Sequence, residues 1–204
     1  MPSLGSTPLF VLASASPRRR ELLAQIGLSP DLVDAADLYE SPEPRELPQS
    51  HALRLAQEKA RAVAARHPGA FVLGADTVVA CGRRILPKAL DREAARQCLQ
   101  LLSGRRHRVY GGIAVLCPDG HLRRRAVASI VTFKRLEADE INDYLATEEW
   151  HGKAGGYAIQ GLAARFVRFL SGSYSNVVGL PLYETAQLLA GQGYEPAARV
   201  RGAS

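Results

Sequence analysis

The chain has 204 residues, 47% hydrophobic and 23% charged, proportions that suit one globular domain with a substantial core, with room for two lobes around a central cleft. A formal net charge of +6 favours anionic partners, but aromatic residues are only 6% of the chain and do not interleave with the arginine clusters, which disfavours a base-stacking nucleic-acid surface. No basic region followed by an apolar leader occurs, nor any run of roughly 18–20 apolar residues, so a cytoplasmic protein without a membrane span is expected.

Residues 9–13 (LFVLA) read as a short buried strand, and Ser16-Pro17 as an N-cap with proline at the first helical position. Arg18, Arg19 and Arg20 then fall in the first helical turn. The helix dipole makes that the wrong end for cations, at a cost on the order of 0.3–1 kcal/mol each. An anion bound there would reverse the sign. A Pro/Glu-rich connection (LYESPEPRELP) leads to a helix at 50–66 and then to the apolar run FVLGADTVVA. Further on come a helix at 91–102 and extended stretches at 107–117 and 121–133, joined by the turn Pro118-Asp119-Gly120. A helix at 138–146, a glycine-rich loop at 152–161, a strand at 165–170 and a last helix opening at Pro181 complete the order; only 1–8 and 196–204 read as frayed ends. This pattern is α/β or α+β with a mixed sheet. Cys81, Cys98 and Cys117 are widely spaced with no CxxC or histidine pairing, so they read as reduced structural thiols.

Two residues break the apolar pattern. In the helix at 50–66, Ala52, Leu55, Ala56 and Val63 form an inward stripe that also holds Lys59. Its ammonium either snorkels to water or waits, partly buried, for an anion or a carboxylate. Asp76 interrupts FVLGADTVV where a buried strand would continue with valine or isoleucine. It either caps a turn or mounts a metal ligand or general base at the end of a strand. The loops Gly152–Gly161 and Gly172–Asn176 could wrap backbone amides around an anion or a base, or serve as plain connections, and neither matches a P-loop or a dinucleotide fingerprint. Arginines at a helix start, an inward lysine and a strand-end aspartate near an acidic loop together describe a phosphate chain held by cations, with carboxylates holding a divalent metal.

The segments SASPRRRELL, GADTVV, LSGRRHRV, KAGGYAIQG and GSYSNVVGLPLYET, spread over nearly the whole chain, are similar in sequence and order to those of the Maf family of nucleoside triphosphate pyrophosphatases. The resemblance implies a cytoplasmic, metal-dependent, homodimeric enzyme, with Mg²⁺ or Mn²⁺ as the metal. It also implies a mixed twisted sheet flanked by helices, like that of the inosine triphosphate pyrophosphatases. The reaction it implies cuts the α–β bond of a nucleoside triphosphate, and the KAGGYAIQG version resembles the branch acting on dTTP and UTP. Carried over by position, Ser14, Arg18, Arg19, Lys59 and Lys88 are phosphate contacts, and Lys59 also belongs to the catalytic group. Asp76 is the catalytic carboxylate, Glu40 a second acid that shares the metal with it, and Gln160 lies near the base. Two segments depart from the family pattern: Tyr39-Glu40 stands where an acidic pair is common, and Pro87-Lys88-Ala89 where GKP is usual. A nucleic-acid-binding or cell-division regulator without nucleotide turnover is the alternative, since the family has also been linked to septum inhibition.

Overall fold

A computed structural model describes residues 8–194; apart from Pro8, the frayed ends expected at 1–8 and 196–204 lie outside the described residues. In chain order the elements are β1 (Phe10–Ala13), α1 (Pro17–Gln25), β2 (Leu32–Val33), α2 (Pro48–Ala64), β3 (Phe71–Cys81), β4 (Arg84–Leu86) and α3 (Arg92–Leu102). They continue with β5 (Arg106–Leu116), β6 (Leu122–Phe133), α4 (Ala138–Ala146), a 3₁₀ turn (Leu162–Phe166), β7 (Val167–Ser171), α5 (Tyr174–Val178) and α6 (Leu182–Ala190). All seven strands form one sheet in the order β2-β1-β3-β5-β6-β7, with β4 also on β3. β1 runs parallel to β2 and β3 and the other pairings are antiparallel, so the sheet is mixed, as the alternating pattern predicts.

The differences from the sequence reading are local. The expected strand at 165–170 begins as the 3₁₀ turn and becomes β7 only at Val167, because the buried Ala163 and Phe166 are spaced for a tight helical turn, not for alternation. β2, β4 and α5 are too short to leave a periodic signature. Asp76 requires a larger correction. It does not end a strand: β3 runs on through Cys81, fully paired to β5 from Val72 to Ala80. What stops beside Asp76 is the neighbouring strand. β1 pairs β3 only as far as Gly74, and β4 takes up the same edge only from Val79, so residues 75–78 have an open edge.

α2 covers one face of the sheet, and its buried residues are the predicted stripe of Ala52, Leu55, Ala56, Lys59 and Val63 with Pro48, His51 and Ala60 added. Two glycines let it lie close. A Cβ at Gly74 would stand 2.1 Å from the Ala56 carbonyl oxygen, and one at Gly112 would stand 2.1 Å from that of Ala52. Gly74 and Asp76 are two apart on β3, and Asp76 is directly opposite Gly112 on β5, so all three face α2. On the other face, α1 and α3 to α6 close the larger core over Leu12, Leu73, Ile113 and Phe133. An aromatic layer there joins Tyr157, His107, Phe133, Phe166 and Tyr144 edge to face.

G112A is expected to push α2 off the sheet and cost about 1–3 kcal/mol by overpacking, read as a lower urea midpoint at unchanged slope. His107 supplies a pH test, because burial holds its imidazole below the ordinary 6.5, at about 4. The unfolded chain therefore takes up the proton first, and stability present above pH 6.5 is lost as the pH falls toward 4. Between pH 7 and pH 5 the wild type is expected to lose about 2 kcal/mol more than H107F in urea denaturation; equal losses would exclude this coupling.

Candidate active site

The open stretch of β3 is flanked by the chain that leaves β1. Ser14 turns back to donate to the Leu12 carbonyl, and α1 begins at Pro17 with Ser16 as an extended N-cap whose side chain makes no capping bond. Of the three first-turn arginines, Arg20 is exposed, Arg18 half-buried and Arg19 buried. Arg19 donates from Nε to the Gly179 carbonyl (2.9 Å), from Nη1 to Ser14 Oγ (2.8 Å) and from Nη2 to Thr77 Oγ1 (3.2 Å). All three acceptors are neutral. Burial pulls its pKa down and the nearby Asp76 charge pulls it back up, so Arg19 sits as a desolvated cation aimed at the open edge.

Lys59 does not snorkel. Its ammonium lies between two carboxylates, 2.6 Å from Asp76 Oδ1 and 2.6 Å from Glu40 Oε1, with only 8% of its side chain exposed. The two oxygens therefore lie within twice that distance of each other. Lys88 holds the second oxygen of Glu40. Burial alone would raise the Glu40 pKa, but hydrogen bonds and charge from Lys59 and Lys88 overcome it and hold it at about 2. Of the pair at Tyr39-Glu40, only Glu40 faces the site; Tyr39 is 85% exposed. The altered Pro87-Lys88-Ala89 segment still delivers its lysine, because the glycine-rich loop straps it down. Gly152 N donates to Ala89 O, Ala89 N to Lys153 O, and Gly155 N to Pro87 O.

Three connecting chambers surround this cluster, and Lys88 lines each of them. The first, on the α1 side, is walled by Thr77, Val79, Tyr157, Val177 and Val178 and carries Arg18 and Lys153. A second, on the α2 side, is mostly apolar and is bounded by Leu55, Val78, Ile85 and Leu86. The third lies under the β1–α1 turn, against Ser14, Ser16, Arg19, Glu40 and Lys59. Seven of the eight expected site residues thus share one cleft. Gln160 does not line it; it is exposed at the far end of the loop.

A family model described as Maf-like protein matches residues 9–192. The chain belongs to the Maf family. Among similar relatives are the dTTP/UTP pyrophosphatase of Paramagnetospirillum magneticum, 66% identical over 92% of this chain and 99% of that protein, and that of Rhodospirillum rubrum, 66% identical over 94% and 90%. The dTTP/UTP pyrophosphatase of Caulobacter vibrioides is 58% identical over 95% of this chain and 100% of its own. A solved HAM1 protein from Coxiella burnetii aligns over 89% of this chain and 98% of its own, at 13% identity and a TM-score of 0.49.

In this Maf-family chain the cleft also contains groups that the sequence reading passed over. Thr77 was hidden by standing next to Asp76: alternation sends it to the opposite face of β3, and only the open edge brings both to one cleft. Lys153 opens the KAGGYAIQG segment, yet nothing in its spacing marks it as inward. Tyr157, in the glycine-rich loop, is buried, and its hydroxyl, pushed above the ordinary phenol range by burial, pairs with His107 Nε2 at 2.8 Å.

The Lys59–Asp76 pair can be tested by denaturation. K59M leaves a buried carboxylate without its cation and is expected to cost about 3–5 kcal/mol. Adding D76N should recover a large part of that loss. Additive losses in the double mutant would mean the two side chains do not act as a pair.

Proposed function

We propose that this chain is a nucleoside triphosphate pyrophosphatase that hydrolyses the α–β anhydride of dTTP and UTP to a monophosphate and pyrophosphate. The observation that carries this reading is the charge of the cleft: Arg18, Arg19, Lys59, Lys88 and Lys153 face only two carboxylates, Asp76 and Glu40. Such a surplus of cations, with Arg19 and Lys59 buried, is unfavourable until a polyphosphate arrives. The relatives named above act, by their names, on dTTP and UTP, and they match along nearly the whole chain.

In this reading the triphosphate lies in the chamber under the β1–α1 turn, with Ser14, Arg19, Lys59 and Lys88 on its oxygens and Arg18 beside it. The base enters the chamber walled by Val79, Tyr157 and Val177, with Gln160 at the outer end of the loop. Asp76 accepts a proton from the attacking water, whose oxygen bonds to the α-phosphorus as the bond to the β-phosphate bridging oxygen breaks. Lysine and arginine charges offset the negative charge that grows on the departing pyrophosphate, and this differential stabilisation is the source of rate.

Asp76 and Glu40 would also hold the divalent cation, Mg²⁺ or Mn²⁺. Their oxygens are hard donors drawn to one point by Lys59, which suits such an ion. Among the described residues no cluster of three or more histidine, cysteine, aspartate or glutamate side chains forms, so Asp76 and Glu40 would be the protein's own ligands to the ion. When bound, the ion supplies Lewis-acid neutralisation of phosphate oxygens. Homodimeric assembly and a cytoplasmic setting belong to the same proposal. The edge strand β7, with Phe169 58% exposed, supports self-association, and no helix among the described residues is long and apolar enough to cross a membrane.

The test is a screen of nucleoside triphosphates for pyrophosphate release with Mg²⁺, with Mn²⁺ and with a chelator. Turnover of dTTP and UTP that stops on chelation is expected, and D76N should lower kcat by about 10²–10⁴ with a smaller change in KM. Salt-sensitive DNA binding with no nucleotide turnover would instead support the regulatory alternative.

A further inference from the structure

In the chamber walled by Val79, Tyr157 and Val177, most polar groups are already committed. The Thr77 hydroxyl donates to the Gly179 carbonyl (3.3 Å) and accepts from Arg19 Nη2, while the Tyr157 hydroxyl is paired to His107. The Gly179 carbonyl also takes the Arg19 Nε–H. Two cations, Arg18 and Lys153, line this chamber and neither of the others. Lys153 makes one side-chain hydrogen bond among the described residues, to the His151 carbonyl at 3.1 Å, and an ammonium has three protons to give. Its backbone is fixed by the strap to residues 87–89 and by the isolated bridge between Lys88 and Ala154. Burial and the nearby Arg18 both lower its pKa, and only the charge of Glu149 opposes them. A half-buried donor on a rigid support, without a carboxylate bonded to it, lines the chamber proposed above to take the base.

We propose that Lys153 reads the oxygen at C4 of the pyrimidine and thereby excludes cytosine. The inference rests on the function proposed above and names the group that discriminates among its substrates. Uracil and thymine present a carbonyl oxygen at C4, to which an ammonium gives a charge-assisted hydrogen bond. Cytosine presents an amino group there, so donor meets donor and the hydrogen bond that uracil accepts is lost. Arg19, Lys59 and Lys88 reach both this chamber and the one under the β1–α1 turn, where Ser14 and Glu40 join them, whereas Lys153 lines this chamber alone, on the side of Tyr157 and Val177.

The experiment measures kcat/KM for UTP and CTP in the full-length wild type, K153M and K153Q, with circular dichroism to verify folding. The wild type is expected to prefer UTP by about 10- to 100-fold. In K153M, kcat/KM for UTP should fall by about that factor while CTP holds or gains, so that the preference collapses. K153Q, whose amide can donate or accept, should turn over both. A parallel fall for UTP and CTP, or an unchanged ratio, would overturn the inference, the former by making Lys153 a phosphate contact. A further arm needs no variant: the triphosphate of a pyrimidin-2-one nucleoside, which lacks any group at C4, should be a poor substrate for the wild type. Turnover of it equal to that of UTP would also overturn the inference. If the wild type releases pyrophosphate from no pyrimidine triphosphate, the proposed function itself fails and this inference with it.

Discussion

The site depends on one close approach, that of the α2 backbone to the sheet over Gly74 and Gly112. Only the missing side chains allow helix carbonyls to lie where Cβ atoms would otherwise stand. That approach brings the Lys59 ammonium down onto Asp76, and the same cation then collects Glu40 from the loop before α2. A buried ion pair of this kind contributes little net stability, because removing both charges from water costs about as much as their attraction returns. Its use lies elsewhere. It keeps two carboxylates side by side that would otherwise repel each other.

A second constraint is the gap in strand pairing. β3 is one continuous strand, but its β1 edge is abandoned after Gly74 and resumed by β4 only at Val79. Four residues thus keep a free edge in the middle of the sheet, and alternation sends Asp76 to the α2 face and Thr77 to the α1 face. The cleft wraps around this edge, so groups from both faces meet. Beyond the end of a parallel strand is a general place for ligand sites in open α/β sheets, and here the end that matters is that of β1.

Much of this was legible in the sequence, and the parts that were not share a reason. Lys59 could be found because a lysine in an apolar helical stripe violates a period of 3.6, and Asp76 because a carboxylate interrupts an apolar strand. Each is a local exception to a local rule. Arg18 and Arg19 announced themselves by sitting at the wrong end of a dipole. The position of Asp76 along its strand was misread because strand ends are inferred from composition, whereas this end belongs to a partner 61 residues away in sequence, as in the pair Ala13 and Gly74. Glu40 and Lys88, one in a Pro/Glu-rich connection and one just past the three-residue strand β4, follow no period; their place was legible only through resemblance. Lys153 escaped because loop residues face inward by tertiary contact alone, here the strap to Pro87 and Ala89.

That strap has a consequence for how binding energy is used. Lys88 and Ala154 form an antiparallel bridge, so the loop that lines the chamber with Tyr157 and the lysine that holds Glu40 are parts of one small hydrogen-bonded unit. Under the proposed function, a base seated against Tyr157 and Lys153 would hold the loop, and the loop would hold Lys88 beside Glu40. A base that seats badly would disturb both. Recognition of the base would then bear on the position of a charge that offsets the leaving group, so a poor base would lose turnover as well as affinity. The altered Pro87-Lys88-Ala89 segment is compatible with this arrangement because the strap uses its backbone carbonyls and one N–H, and Ala89 can supply that N–H where a proline at the same position could not.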